Sequence, residues 1–198
     1  MRPAVFLDRD EPAGSSGPGR PAVFLDRDGV LNRRHWKLVR RLDQLVFLPG
    51  VAGSVARLTR AGLPVFVATN QEWVGAGYIA RDEHDAIMAA VVREMEREGG
   101  RVEGVYACLH KPGSGCDDRK PKPGMLLAAA REHGLDLARS FMVGDNLKDM
   151  LAGRAAGVRT VLVDPRLRTW VQRAAARADH VCRDLPRAVE WVLSQAQG

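Results

Sequence analysis

Short apolar runs alternate with longer amphipathic segments along most of the chain. The apolar runs are continuous and rich in Val, Phe and Leu, as expected of strands buried on both faces of a parallel sheet. The predicted strands are Ala22–Asp26, Pro64–Thr69, Gly104–Cys108, Ser140–Gly144, Thr160–Val163 and Asp179–Cys182. The predicted helices are Val51–Ala61, Arg81–Glu98, Gly124–His133, Lys148–Ala156 and Leu185–Gln195. This alternation predicts an α/β fold, a Rossmann-like three-layer sandwich with a central parallel sheet.

Glycines directly follow four of the predicted helices. They are Gly62, Gly99, Gly134 and Gly157. A left-handed residue commonly ends a helix, and glycine adopts that conformation without the steric cost of a Cβ atom. The glycines therefore support the predicted helix ends.

The first 28 residues contain a direct repeat, in which the segment 2–10 recurs as 20–28. The first copy is followed by a Pro-, Gly- and Ser-rich stretch, 11–19, which is typical of a flexible linker. The second copy continues into the turn Gly29-Val30-Leu31-Asn32. Because only one copy can occupy a given strand position, we predict a flexible N-terminal tail over 1–19 and one folded domain over 20–198.

The composition is that of an ordinary globular protein. The 198 residues are 45% hydrophobic and 27% charged, and this length suits one domain rather than two. No run approaches the ~18 apolar residues that a spanning helix needs, and the first residues do not predict a secretory signal, so we expect a cytoplasmic protein. The three cysteines are too few for a disulfide framework and are expected to be thiols or metal ligands.

Arginine carries most of the positive charge. The chain has 30 Lys and Arg against 24 Asp and Glu, a net charge of +6, and only five of the basic residues are Lys. An Arg-rich solvated surface explains this better than a nucleic-acid face, since no stripe of aromatic and basic residues is evident for stacking bases. We therefore expect a monomer whose partner is a small phosphorylated molecule, with no nucleic acid and no membrane.

Polar side chains follow the predicted strands at the points where those strands end. In an open parallel sheet, ligands bind beyond these carboxyl ends, so the side chains should converge on one edge. They are Asp26 and Asp28 after the first strand, Thr69, Asn70 and Gln71 after the second, Lys120 in the loop after the third, and Asp145 and Asp149 after the fourth. Clustered carboxylates repel unless a divalent cation lies between them, and oxygen ligands suit Mg²⁺. The cation and the lysine would then hold a phosphate group.

These residues resemble the four motifs of the haloacid-dehalogenase (HAD) superfamily of phosphohydrolases. The first motif, Asp-x-Asp-Gly-Val/Thr, matches Asp26-Arg27-Asp28-Gly29-Val30, and the second, a strand-end Thr or Ser, matches Thr69. The third motif, a lysine, matches Lys120, and the fourth, Gly-Asp-x-x-x-Asp, matches the segment 144–149. The resemblance covers residues 21–182, and four motifs in order are a specific signal. It implies a HAD-like phosphatase domain over 20–198.

The resemblance also implies a two-step mechanism. Asp26 attacks phosphorus and forms an aspartyl phosphate, and Asp28 donates a proton to the leaving oxygen and later accepts one from water. Mg²⁺ is held by Asp26, the backbone carbonyl of Asp28 and Asp145. Thr69 and Lys120 complete the phosphate site.

Two assignments within these motifs have alternatives. Asp149 is expected to hold a metal-bound water or to orient its neighbours. Lys122 competes with Lys120 for the role of the third-motif lysine. We favour Lys120, because the segment 119–125 matches the family's Arg-Lys-Pro-x-Pro-Gly-Met run, in which the first lysine contacts phosphate.

That run resembles a capless group of the superfamily, which contains D-glycero-D-manno-heptose 1,7-bisphosphate phosphatases and the phosphatase half of histidinol-phosphate enzymes. One helix and one strand are predicted between the second and third motifs, which leaves no room for a cap domain. The resemblance implies a Mg²⁺-dependent phosphatase that converts the heptose bisphosphate to heptose 1-phosphate. The alternatives are histidinol phosphate as the substrate, a phosphatase of nucleic-acid ends, and a catalytically silent phosphate-binding protein, which would be expected to lose Asp26 or Asp28.

Members of that group also carry a zinc site of the pattern Cys-x-His … Cys-x-Cys. The corresponding segments here are Cys108-Leu109-His110 and Cys116-Asp117-Asp118, so three ligands match and Asp118 replaces a cysteine. Aspartate binds zinc, so the resemblance implies a structural Zn²⁺ held by Cys108, His110, Cys116 and Asp118. The alternative is a buried thiol at Cys108 without a metal.

Substrate recognition is expected from the loops around the same edge. The resemblance implies that Arg119 lies beside the substrate, and Asn70 and Gln71 are further candidate substrate-binding residues. His35 is a candidate for packing against a sugar ring. The loop that carries His35 and the pair Glu72-Trp73 both depart from the residues usual in the group, so the resemblance does not define the sugar pocket.

Overall fold

The fold is built around a central sheet. The computed structural model describes residues 4–5, 19–34, 39–165 and 178–196. Within these ranges, seven strands form one sheet in the order β1-β4-β3-β2-β5-β6-β7. The strands are β1 (Ala4–Val5), β2 (Val23–Leu25), β3 (Val65–Asn70), β4 (Val102–Cys108), β5 (Phe141–Gly144), β6 (Arg159–Val163) and β7 (His180–Cys182).

The strands β2 to β7 pair in parallel, and β2 lies at the centre of the sheet. Leu25, the last residue of β2, lies opposite Val67 of β3 on one side and Val143 of β5 on the other. The chain first builds the sheet outward through β3 and β4, then returns to the other side of β2 for β5, β6 and β7. The carboxyl ends of β2 and β5 therefore form a topological switch point, where open α/β sheets bind their ligands.

Helices cover both faces of the sheet. The helices are α1 (Val51–Arg60), α2 (Glu72–Gly75), α3 (Arg81–Glu96), α4 (Gly124–His133), α5 (Leu147–Ala156) and α6 (Leu185–Ala196). Side chains of α1, α3 and α6 share one buried cluster with Val23 and Leu25, whereas those of α4 and α5 pack on the other face with Phe24. Successive side chains of β2 point to opposite faces of the sheet and pack into two separate cores. The predicted three-layer sandwich is therefore confirmed. None of the helices in the described ranges is long and apolar enough to cross a membrane.

The ends of the predicted strands and helices agree with the structure to within two residues. The glycines that follow the helices at positions 62, 99, 134 and 157 all have positive φ, as their position after a helix requires. The prediction missed the four-residue helix α2 and two 3₁₀ turns at 42–44 and 137–139. Between β3 and Lys120 the chain forms only α2, α3 and β4, so the absence of a cap domain is confirmed for this fully described stretch.

The two copies of the N-terminal repeat occupy different places. Ala4–Val5 of the first copy forms β1, which pairs antiparallel with the edge strand β4. The equivalent residues of the second copy, Ala22 and Val23, lead into the central strand β2. The sheet has one strand position between β3 and β5, so only one of the two copies can occupy it. The division into a flexible tail over 1–19 and a domain over 20–198 stays a prediction.

Candidate active site

Three aspartates converge where β2 and β5 end. Asp26 directly follows β2, Asp145 directly follows β5, and Asp149 lies in the first turn of α5. Each offers a carboxylate oxygen, and these three oxygens lie within 4.8 Å of one another. The parallel pairing of β2 with β5 brings these distant parts of the sequence together. At the end of this pairing, the backbone amide of Asp26 donates to Val143 O at 2.9 Å.

Two glycines make room for the aspartates. Gly29 has φ +93°, and a Cβ atom there would lie 1.9 Å from Asp145 Oδ2. A Cβ atom at Gly144 would lie 2.3 Å from the Cβ of Asp149. Each distance is far below van der Waals contact, so only glycine lets the backbone approach these carboxylates so closely.

Lys120 neutralises part of this cluster. Its Nζ donates to Asp26 Oδ1 at 2.8 Å and to Ala68 O at 2.7 Å, and it lies 2.6 Å from Asp149 Oδ1. Burial acts to lower the pKa of Lys120, but the charges of Asp149 and Asp26 outweigh it and raise the pKa to about 12. The competing candidate Lys122 lies on the surface, where it pairs with Asp117. The structure therefore brings Lys120, and not Lys122, to the aspartates.

Asp145 is a carboxyl whose pKa is strongly raised by its surroundings. Burial and the neighbouring charge of Asp26 raise its pKa to about 7, although Arg34 acts in the opposite direction. Arg34 donates two hydrogen bonds to Asp145, Nε to Oδ2 at 3.0 Å and Nη2 to Oδ1 at 2.5 Å. A divalent cation would offset the negative charge that raises the pKa of Asp145, and carboxylate oxygens at these separations form a donor set that suits Mg²⁺. The residues present thus fit the expected metal.

Asp28 lies beside this cluster in a shell of hydrogen-bond donors. Its carboxylate accepts from the guanidinium of Arg27, from Asn32 Nδ2 at 2.9 Å and from Gln71 Nε2 at 3.1 Å. Burial acts to raise the pKa of Asp28, but the charge of Arg27 and these hydrogen bonds outweigh it and hold the pKa below its usual value. Asp28 is therefore held as a carboxylate, and it must take up a proton before it can act as an acid.

The three polar residues at the end of β3 support other site residues. The amide of Asn70 donates to Lys120 O at 2.9 Å and accepts from Lys120 N at 3.1 Å, so it fixes the backbone that carries the lysine. Gln71 Nε2 donates to Thr69 Oγ1 at 2.9 Å as well as to Asp28, and Gln71 is buried. Thr69 is buried beside them. The substrate-binding role of Asn70 and Gln71 stays a prediction, and both side chains hold protein groups in this structure.

Of the candidate substrate residues outside the strands, Arg119 lies in a described loop. It donates to His110 O at 3.0 Å and forms a 2.8 Å ion pair with Glu72 of α2. The charge of Arg119 is therefore partly balanced by Glu72, one of the residues that depart from the pattern usual in the group. His35 lies outside the described residues.

A second cluster lies beside β4, where the zinc site is expected. Cys108 Sγ lies 3.8 Å from both His110 Nδ1 and Cys116 Sγ, and Cys116 Sγ lies 3.9 Å from Asp118 Oδ2. A tetrahedral zinc with Zn–S bonds of about 2.3 Å places its sulfur ligands about 3.8 Å apart. Burial raises the pKa of Cys108 to about 11 and also raises the pKa of Asp118. The buried Cys108 and the partly buried Asp118 therefore fit a site whose cation would stabilise their ionised forms.

Three residues of the active-site region were missed by sequence reasoning about function. They are Arg27, Asn32 and Arg34. Arg27 stands between the two motif aspartates, so its position was itself a signal that it lies in the site. Asn32 and Arg34 follow the same motif closely, but the pairing of Arg34 with Asp145 spans 111 residues and has no signature in the sequence pattern.

Comparison with known proteins gives the chain's relatives. The HAD-hydrolase-like family model matches residues 118–188. A D-glycero-D-manno-heptose-1,7-bisphosphate 7-phosphatase from Thermosynechococcus vestitus is 39% identical over 208 aligned residues, which cover 98% of this chain and 96% of that protein. A D-glycero-beta-D-manno-heptose-1,7-bisphosphate 7-phosphatase from Bordetella bronchiseptica is 36% identical over 170 residues, which cover 85% of this chain and 95% of that protein.

Comparison of the folds agrees with these matches. The crystal structure of D,D-heptose 1,7-bisphosphate phosphatase from B. bronchiseptica, complexed with magnesium and phosphate, matches this structure with a TM-score of 0.78 at 35% identity. The match covers 89% of this chain and 99% of that one. Sequence identity above 30% over nearly the whole length, the same fold and the four motifs agree: the chain belongs to the haloacid-dehalogenase-like family of hydrolases.

Proposed function

We propose that this protein is a Mg²⁺-dependent phosphatase that removes the phosphate at C7 of D-glycero-D-manno-heptose 1,7-bisphosphate. The observation that carries the proposal is the buried ammonium of Lys120, held between Asp26 and Asp149 beside Asp145. A nucleophile, a fixed cation and a metal-binding carboxylate set thus occupy the switch point of the sheet. The similarity to heptose bisphosphate phosphatases over nearly the whole chain supports the choice of substrate.

The reaction takes place in two displacements at Asp26. Its carboxylate attacks phosphorus and forms an aspartyl phosphate. Asp28 takes up a proton from solvent as the negatively charged substrate binds, and it gives this proton to the departing sugar oxygen. Asp28 then accepts a proton from the water that attacks the aspartyl phosphate, which releases phosphate and restores Asp26. Lys120 keeps the attacking carboxylate in place and provides positive charge where the phosphoryl oxygens arrive.

Asp26, Asp145 and the backbone carbonyl of Asp28 are the proposed ligands of Mg²⁺, with Asp149 close enough to hold a metal-bound water. When bound, the ion would neutralise charge on the phosphoryl oxygens. Arg34 already offers a positive group to Asp145 and lies half exposed at the mouth of the site. Arg34 and Arg119 are the arginines that we propose as contacts for the second phosphate of a bisphosphate.

Phosphate release tests the proposed function. Purified protein with Mg²⁺ would be assayed on both anomers of the heptose 1,7-bisphosphate, histidinol phosphate, other sugar phosphates and a 3′-phosphorylated oligonucleotide. We expect one heptose bisphosphate anomer to be hydrolysed with the highest kcat/KM. Preference for histidinol phosphate or for the oligonucleotide would replace the proposed substrate, and no release from any compound would favour a phosphate-binding protein.

Gly29→Ala is expected to weaken Mg²⁺ binding by ~10–100-fold, because the new Cβ atom would lie 1.9 Å from Asp145 Oδ2 and push this ligand aside. Gly62→Ala is the matched control, since Gly62 also has positive φ but a Cβ atom there would have nothing within 4 Å. Both variants share the cost of placing alanine in a left-handed conformation. Calorimetric titration measures the Mg²⁺ affinity of each variant. Equal affinities of Gly29→Ala and Gly62→Ala would contradict the proposed role of Asp145.

The cluster beside β4 is proposed to bind one structural Zn²⁺ through Cys108, His110, Cys116 and Asp118. The support is the 3.8 Å spacing of the two sulfurs and the approach of the imidazole and carboxylate groups. The site joins the end of β4 to the loop that leads to Arg119, whose guanidinium holds His110 O. A bound ion would therefore stabilise the loop that carries Arg119 and Lys120.

Cys116→Ala is expected to remove the bound zinc, whereas Cys182→Ala, at the buried cysteine of β7, is expected to retain it. Elemental analysis of protein purified without chelator gives the zinc content of each variant. We expect about one equivalent in the wild type and in Cys182→Ala. A wild type without zinc, or equal zinc in both variants, would contradict the proposed site.

A further inference from the structure

Two large aromatic side chains lie exposed where α2 leads into α3. Trp73 is 37% exposed and Tyr78 is 58% exposed. Their ring centroids are 5.5 Å apart, and the rings meet edge to face at 78°. The guanidinium of Arg40, from the loop after β2, lies over the ring of Tyr78 at 5.9 Å from its centroid. We call these three side chains, which come from two separate segments, the aromatic platform.

The aromatic platform is joined to the active site through α2. Gln71, directly before α2, donates from its side chain to Asp28. Glu72, the first residue of α2, forms the 2.8 Å ion pair with Arg119, whose neighbour in the chain is the site lysine. Trp73 comes next, so the aromatic platform begins two residues after a side chain that holds Asp28.

The backbone between the two aromatic residues is tightly folded. Tyr78 N donates to Trp73 O at 2.9 Å, and the turn passes through Gly77, which has φ +78°. At Gly75 the chain comes so close to the loop after β4 that a Cβ atom would lie 2.2 Å from Leu109 O. These contacts hold the two rings in place without burying them. Such a preformed surface suits a ligand, because little conformational freedom is lost when the ligand binds.

The loop after β2 contributes to both sides of the site. Arg34 pairs with Asp145 at the end of β5, and Arg40 reaches Tyr78 in the segment that follows β3. The strands β5 and β3 flank β2 on opposite sides. Asp26, at the end of β2, therefore lies between the strand that carries Asp145 and the strand that leads to the aromatic platform.

We propose that the aromatic platform binds the sugar ring of the phosphorylated substrate, with the indole of Trp73 packed against a C–H face of that ring. The inference rests on the proposed function and names the part of the site that recognises the sugar. The C–H face of a pyranose is apolar and packs well on an aromatic ring. The edge-to-face contact with Tyr78 covers at most one face of the indole, which leaves the other for the sugar.

The polar neighbours of the aromatic platform suit the hydroxyl groups of a sugar. Hydroxyl groups both donate and accept hydrogen bonds, so they need partners of both kinds. Arg40 offers donors, and the carboxylate of Glu72, beside Trp73, offers acceptors. Glu72 and Trp73 are also the pair at which this chain departs from the residues usual in its group, as expected if they adapt the site to a particular sugar.

Substrates with and without a ring test the proposal. Trp73→Ala is expected to raise KM about 10-fold for the pyranose phosphate that the wild type hydrolyses fastest, because the lost ring contact contributes to binding. We expect little change in kcat, since the contact is made equally before and during the chemical step. KM for glycerol 3-phosphate, which has no ring, is expected to stay the same. Trp73→Phe keeps an aromatic face and is expected to retain most of the affinity.

Trp191→Phe is the matched control for Trp73→Phe. Trp191 also makes an edge-to-face contact, but with Phe141, which begins β5 at the amino end of the sheet, opposite the active site. This change is expected to leave KM for both substrates unaltered.

Fluorescence titration measures the ring contact without turnover. In an Asp26→Asn background, the heptose bisphosphate is expected to change the tryptophan emission, whereas inorganic phosphate, which lacks the ring, is expected to leave it unchanged. Adding Trp73→Phe should abolish the change in emission, and adding Trp191→Phe should preserve it.

An equal rise in KM for the pyranose phosphate and for glycerol 3-phosphate would overturn the proposal, and so would no rise in either. An emission change that persists with Trp73→Phe would also overturn it. Tighter binding of a nucleoside 3′-phosphate that depends on Trp73 would assign the aromatic platform to a base instead of a sugar. A wild type that hydrolyses none of the sugar phosphates would contradict the proposed function, and the titration would then decide the role of the aromatic platform by itself.

Discussion

Asp26→Asn is expected to lower kcat/KM by ~10⁴-fold or more while leaving the fold intact, because an amide cannot attack phosphorus as the carboxylate does. The amide has nearly the same shape, and the backbone hydrogen bond from Asp26 N to Val143 O is unaffected. The variant also loses the negative charge that faces Lys120, so phosphate should still bind. Phosphate release measures the loss in turnover, and circular dichroism and phosphate titration show whether the site remains formed.

The N-terminal repeat offers a matched control for this change. Asp8 has the same place in the first copy as Asp26 has in the second, within an identical nine-residue segment. Asp8→Asn is expected to leave turnover unchanged, because only the second copy continues into the turn that places Gly29 against Asp145. Mass spectrometry after acid quenching should detect a phosphorylated protein in Asp8→Asn but not in Asp26→Asn. Normal turnover by Asp26→Asn would exclude it as the nucleophile.

The sheet and the principal helices were predictable because their signals are local. Buried parallel strands require continuous apolar runs, and glycines such as Gly134 and Gly157 end helices in a left-handed conformation. The parallel sheet followed from the alternation of strands and helices, whereas the order of its strands came only from the structure. The helix that was not predicted, α2, has only four residues, which are too few to show a helical period.

The centre of the site was also predictable, because its residues stand at strand ends in the order of known motifs. The motif match selected Lys120 over Lys122, and the structure places only Lys120 against Asp26. It was harder to predict from the sequence which polar side chains face a substrate. The substrate-binding role of Asn70 and Gln71 stays a prediction, and in the structure their amides hold Lys120 and Asp28.

The remaining contacts depend on pairs that are distant in sequence. Arg34 reaches Asp145 across 111 positions, and Arg119 reaches Glu72 across 47. In the sequence each arginine is one of many on an Arg-rich surface, since neither periodicity nor spacing tells which carboxylate it meets. Only the folded sheet defines these partners, and with them the charge that a substrate encounters.

Lys120→Met is expected to damage both catalysis and stability, and Lys122→Met to change neither. Removing the ammonium leaves the phosphoryl oxygens without a fixed cation, for which we expect a ~10²–10³-fold lower kcat/KM. It also leaves the buried carboxylates of Asp26 and Asp149 without their partner, which we expect to cost about 3–5 kcal/mol of unfolding free energy. Lys122 pairs with Asp117 in solvent, so its loss should have no measurable effect.

The pH dependence of that stability loss distinguishes an unpaired charge from a simple packing defect. Burial already raises the pKa of Asp149, and loss of the Lys120 charge would raise it further. A carboxyl whose pKa is raised in the folded protein binds more protons folded than unfolded, so its contribution to stability falls as pH rises through the folded pKa. The deficit of Lys120→Met relative to the wild type should therefore be larger at pH 8 than at pH 5.5. Urea unfolding at both pH values measures it, and a deficit independent of pH would mean that Lys120 contributes packing rather than charge.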